Sequence, residues 1–195
     1  MHHFSNWRPS GGELFRGEIS AGEHMMQIYE EDSALLDSPE AFVRSGVQRG
    51  EGVIVIATGD HLRALHDRLK FYGLDLAATI ARDQYIPVDV DEILPEITVH
   101  GWPDEEVFVR RVTELLVRAR GRLRWRRVRV FGELVSVMWA LGNRDATHRL
   151  ELIWHRLCAT ESFPLFCAYP RARFVAKGAD ARVQAICAAH STVIT

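Results

Sequence analysis

The sequence predicts a single three-layer α/β domain, a mostly parallel central sheet flanked by helices, and three observations carry that expectation. Val53–Thr58, VIVIAT, is continuously apolar and β-branched, the mark of a strand covered on both faces. The stretch Val128–Pro170 opens on VRVF and closes on LFCAY with two helically spaced segments between them, so two buried strands bracket helices. Strand and helix patterns alternate along all 195 residues with no internal repeat and no break in composition.

Residues 1–21, rich in Gly, Ser, Arg and Pro with Trp7 and Phe15 standing alone, read as a loosely ordered N-terminal extension, and the domain spans 22–195. His24–Tyr29, HMMQIY, is the first strand, ended by the polar run Glu30 to Ser33. Ser38 reads as the N-cap of the next helix, Pro39 as its first residue and Gly50 as its stop, with Phe42, Val43 and Val47 on one face. After Val53–Thr58, Asp60 suits a cap for a helix whose Leu62, Leu65 and Leu69 repeat until Gly73. A weaker segment, Ala77–Ala81, precedes the strand Gln84–Val88; Pro87 lacks an amide donor, so that strand is short or near an edge.

Asp89–Glu96 suits a short helix, and His100–Pro103 reads as a loop. Asp104 caps a well-patterned helix with Phe108, Val112, Leu115, Leu116 and Ala119 on one face and acids in its first turn, where the helix dipole favours them. Within Val128–Pro170, Asp145 reads as the cap of a helix whose buried stripe is Leu150, Ile153, Trp154, Leu157 and Cys158. Ala179–His190 reads as a last helix and Ser191–Thr195 as an edge strand.

The net charge of −2 asks for no polyanionic partner, although only Lys70 and Lys177 of the 24 basic residues are lysine. The run from Arg118 to Arg129 holds seven Arg and one Trp, a pattern that suits either a nucleic-acid surface or a solvated helix end, and the acidic chain favours the second. Three cysteines without CxxC spacing, set among apolar neighbours, fit small buried thiols in a reduced cytoplasmic protein. No apolar run approaches the roughly 18 residues a membrane span needs.

A P-loop nucleoside triphosphatase is excluded by composition at the strand ends. A phosphate loop needs GxxxxGK[ST] after a strand, and the first strand is followed instead by EEDSALLDS, with four carboxylates and neither Gly nor Lys. No GxSxG marks a hydrolase, and Cys167 lies within a strand, so a buried structural thiol is its simpler reading. Nine histidines, His24 and His190 among them, form no HxH or HExxH pair, while His148 and His155 lie two turns, about 10.5 Å, apart on one helix. No metal or other cofactor is expected. Ligands of open parallel sheets bind beyond the carboxyl ends of the strands, where this chain carries Gly132-Glu133 and Tyr169-Pro170. Glu133 is there either a functional carboxylate or an acid satisfied by the amides of the next helix, and Tyr29, Tyr169, Trp139 and Trp154 either pack the core or line a pocket.

The ordered blocks His24-x4-Tyr29-Glu30, GEGVIVIAT with His61 after it, Gly101-Trp102-Pro103-Asp104, VRVFGELVSVMWALGN, LELIWHRLC, FPLFCAYP and ICAAHSTVI resemble the MEDS family of sensory domains over residues 22–195. Leu134 stands where many relatives have Met, a swap of similar volume. The resemblance implies a RecA/KaiC-like fold without its Walker A loop. It further implies a non-enzymatic sensor of a small, hydrocarbon-derived molecule, working with a histidine kinase or transcription regulator. His24, Tyr29, Glu133, Glu151, Tyr169 and His190 are the implied ligand-binding positions. With no kinase core or DNA-recognition helix in these residues, the expected output is contact with another protein, a second copy of the chain included. Two rivals stay open: a ligand-free interaction module, and an enzyme with Glu133 as general base.

Overall fold

Every residue of the strands His24–Tyr29 and Gly52–Ala57 is buried, because each lies inside a sheet with helices on both faces. The computed structural model describes residues 15, 18–30, 32–121, 126–175 and 181–195. In chain order the described elements are β1 (His24–Tyr29), α1 (Asp32–Gln48), β2 (Gly52–Ala57), α2 (Gly59–Phe71), α3 (Leu76–Ala81), β3 (Tyr85–Asp89), α4 (Val90–Glu96), β4 (Thr98–Val99) and β5 (Trp102–Pro103). They continue with α5 (Glu105–Arg120), β6 (Val128–Gly132), α6 (Leu134–Ala140), α7 (Arg144–Glu161), β7 (Leu165–Pro170), α8 (Arg171–Phe174), α9 (Ala181–Ala188) and β8 (Thr192–Ile194).

Six strands form one all-parallel sheet in the order β3-β2-β6-β7-β1-β8, so the strand with Pro87 and the short C-terminal strand are its two edges, as their residues predict. Strand parity divides the core. Met26, Ile28, Ile54, Ile56, Val130 and Cys167 face α4, α5, α6, α7 and α9, whereas Met25, Tyr29, Val53, Val55, Phe131 and Phe166 face α1, α2 and α3.

Local corrections have local causes. Helix α1 begins six residues before Ser38 and carries Pro39 in its interior. The early start buries Leu35 and Leu36, at about 1.5–3 kcal/mol each, which offsets the roughly 3 kcal/mol an internal proline costs. The caps of α2 and α7 are Thr58 and Asn143, each two residues before the expected aspartates, with Asn143 Oδ1 accepting from the Ala146 amide at 3.2 Å. Asp60 and Asp145 sit instead in the first turns and pair with Arg63 and Arg182. The expected loop at His100–Pro103 is a hairpin: β4 and β5 pair antiparallel across His100 and Gly101, whose φ values of 51° and 77° are those of a two-residue turn that matches strand twist. Within the expected N-terminal extension, Phe15 is 1 % exposed and packs edge-on against Phe42, so at that point the chain is built into the core; most of residues 1–21 lie outside the described residues.

At its described positions the arginine run is tied down; Arg122, Arg124 and Trp125 lie outside the described residues. Arg118 pairs with Asp83, Arg120 with Glu161, and Arg127 donates to the Ile19 carbonyl. Arg129 is 0 % exposed, donates to Glu51 Oε2 at 2.5 Å and to the Phe42 carbonyl at 3.0 Å, and stacks over the Phe42 ring. Its stem passes so close to α1 that a Cβ at Gly46 would come within 2.8 Å of Arg129 Cδ. Removing one partner of a buried ion pair leaves an uncompensated charge. Glu51→Ala is therefore expected to cost about 3–5 kcal/mol in urea unfolding, while the double variant Glu51→Leu/Arg129→Met loses far less.

Candidate functional site

Strand ends and strand parity place the six expected site residues in three separate locations. Glu133 directly follows β6 and takes the N-cap position of α6 without capping it, since its carboxylate makes no hydrogen bond to the first amides of that helix. It reaches across the sheet instead. The Thr58 amide donates to Glu133 Oε2 at 3.1 Å, His61 Nδ1 lies 2.9 Å from both carboxylate oxygens, and the Glu133 amide donates to the Ile56 carbonyl at 2.8 Å. The carboxylate accepts, so His61 carries its proton on Nδ1. On the other side of Thr58-Gly59 stands Asp89, the last residue of β3; a Cβ at Gly59 would meet its Oδ2 at 2.9 Å. The mouth beyond β2 is thus flanked by two carboxylates, with the His61 side chain 21 % exposed between strand ends and solvent. Such a mouth offers hydrogen-bond acceptors and repels phosphate.

A second group lies inside the domain. Strand parity puts His24, Cys167 and Tyr169 on one face, and α7 lays Glu151 over them from its buried stripe. His24 is 1 % exposed, Glu151 and Tyr169 are fully buried, and His190, between α9 and β8, completes the set. Glu151 Oε2 lies 3.4 Å from His24 Nε2 and 3.6 Å from His190 Nε2, and the Tyr169 hydroxyl donates to Glu151 Oε1 at 2.5 Å. His24 Nε2 is 3.5 Å from Cys167 Sγ, and the two imidazole rings stack 3.9 Å apart.

These distances resemble ion pairs, yet burial keeps the groups neutral. Desolvation raises the Glu151 carboxyl to about 8, only partly opposed by the Tyr169 hydrogen bond. Desolvation lowers His24 to about 2, with help from His190 and His155, and lowers His190 to about 4 against the pull of the Ile186 carbonyl. Burial also holds the Cys167 thiol well above its usual range, which removes it as a free nucleophile. The four potential ligand atoms of His24, Glu151, Cys167 and His190 all lie within 4.8 Å of one another, a spacing suited to a metal ion although no local His motif marks it.

Tyr29, the sixth expected residue, is the last of β1 and points to the other face with Met25 and Leu35. Trp154, fully buried against Phe108 at 4.7 Å, and Trp139, whose Nε1 donates to the Arg173 carbonyl at 2.9 Å, are core residues. A concavity of about 710 Å³ lies elsewhere again, on the outer side of α1 between Phe15, Glu40, Arg44 and Tyr72, and includes none of the expected site residues.

Sequence reading missed His61, Asp89 and Cys167 as site members. His61 was visible in its block but not as the partner of a residue 72 positions away. A signal for the inner group did exist: Glu151 shares the helical face of Trp154 and Cys158, and a carboxyl in an apolar stripe needs partners. Among the described residues no helix is long and apolar enough to cross a membrane.

A search of curated proteins returned no match. Residues 23–190 match the MEthanogen/methylotroph, DcmR Sensory domain, and the chain belongs to this MEDS family.

Proposed function

We propose that this chain is a non-enzymatic sensory domain whose effector, a small hydrocarbon-derived molecule with a polar group, binds at the mouth formed by Glu133, His61 and Asp89. The observation that carries the reading is the bond from Glu133 to both Thr58 and His61, which ties the carboxyl end of β6 to the start of α2 across the sheet. A polar ligand group competes for that tie. Occupancy then biases how α2 sits on the sheet, and a ligand shifts such an equilibrium only by its differential affinity for the two arrangements.

The scaffold is read as RecA/KaiC-like without the phosphate loop, a reading supported by the all-parallel sheet and by the Gly- and Lys-free segment after β1. The output is contact with a histidine kinase or transcription regulator, in keeping with the family's sensory description. Nucleic acid is disfavoured as the partner, because Arg118, Arg120, Arg126, Arg127 and Arg129 all have intramolecular acceptors.

A thermal-shift screen of small alcohols, aldehydes, amines and halogenated hydrocarbons tests the reading. A true effector at about 100 times its dissociation constant adds about 2.7 kcal/mol and raises Tm by roughly 5–11 °C. Glu133→Gln and His61→Ala are expected to fold and to lose that shift. Turnover of the effector, or an undiminished shift in both variants, would overturn the assignment.

A further inference from the structure

We propose that the buried quartet His24, Glu151, Cys167 and His190 is a tetrahedral site for a borderline-soft divalent ion of the Zn²⁺ class. The quartet is assembled from β1, α7, β7 and the α9–β8 connection, with ligand atoms mutually within 4.8 Å. A tetrahedral ion with bonds of about 2.0–2.3 Å sets its ligand atoms about 3.3–3.8 Å apart. Three of the contacts here, at 3.4, 3.6 and 3.5 Å, already have that length.

Two unsatisfied atoms point to the same conclusion independently. Glu151 Oε2 and His190 Nε2 are buried without a hydrogen-bond partner, a costly condition in a core. Each is also aimed by its other end. His190 Nδ1 lies 2.7 Å from the Ile186 carbonyl, so it carries the proton and Nε2 turns its lone pair toward Glu151. The Tyr169 hydroxyl occupies Glu151 Oε1 and leaves Oε2 for the histidine side. Outer hydrogen bonds of this kind orient ligands at metal centres.

Charge balances as well. Loss of the Glu151 and Cys167 protons to solvent on binding supplies two negative charges for a divalent ion, and a mixed sulfur, nitrogen and oxygen set suits Zn²⁺, Co²⁺ or Fe²⁺ rather than Mg²⁺ or Ca²⁺. Four protein ligands leave no open position, so the ion clamps four elements together and carries no reaction. His155, exposed one turn after Glu151 with its ring 5.8 Å from that of His24, connects the site to the surface. The inference is independent of the effector mouth.

The test is metal analysis of the full chain and Co²⁺ titration of chelator-treated protein, followed by absorption spectroscopy. One equivalent of bound ion is expected, with tetrahedral d–d bands and a thiolate-to-Co²⁺ charge-transfer band. Cys167→Ser is expected to abolish the charge-transfer band, Cys158→Ser and Cys187→Ser to retain it, and Tyr169→Phe to weaken affinity about 10–100-fold. Should Cys167→Ser fail to fold, His190→Gln, with its loss of the tetrahedral d–d signature, serves in its place. No tetrahedral Co²⁺ spectrum in the wild-type chain, or a charge-transfer band that survives Cys167→Ser, would overturn the site.

Discussion

The constraint on which the structure turns is a carboxyl group placed where water does not reach. Glu151 projects from α7 into the apolar layer over β1 and β7, where the Tyr169 hydroxyl donates to Oε1 and His24 and His190 stand 3.4 and 3.6 Å from Oε2 without a hydrogen bond to it. A buried carboxyl without such partners costs several kcal/mol, so the register that sets His24 opposite Leu165 and Tyr169 at the far end of β7 is also what makes α7 dockable. The strand pairing and the helix packing are two parts of one solution.

The same sheet carries its other polar groups by a different rule. At the carboxyl end of β6 the carboxylate of Glu133 is buried, 3 % exposed, and its charge is met by the Thr58 amide and His61. Glu133 there bridges β6 to the start of α2, and Asp89 lies on the far side of Thr58-Gly59. On the opposite face Arg129 is neutralised by Glu51 beneath α1. Three polar arrangements, one at the rim and one in each layer, thus interrupt the apolar core, and each joins elements far apart in sequence.

That separation explains what could be read in advance. VIVIAT, VRVF and LFCAY announce buried strands because parallel strands covered on both faces must be apolar throughout, and Pro87 marks an edge because it cannot donate. Caps were legible unevenly: Asp104 is the cap its residues announce, Thr58 and Asn143 rather than Asp60 and Asp145 accept from the first-turn amides, and Ser38 lies six residues after its helix begins. Arg129 read as one more surface cation, since a local window cannot reveal Glu51 across the sheet. His24, Glu151 and His190 were named through family resemblance, but their meeting with Cys167 depends on a pairing register that no spacing encodes. Tyr29 came with the same motif and lies on the other face, a reminder that motif membership and spatial neighbourhood are different properties.

The central claim is that Glu151 and the histidines around it form one energetic unit. A double-mutant cycle on Glu151→Gln and His190→Gln, by urea unfolding in the presence of a chelator, tests it most directly. The account predicts a coupling of about 1–3 kcal/mol, whereas effects that add to within about 0.5 kcal/mol would contradict it.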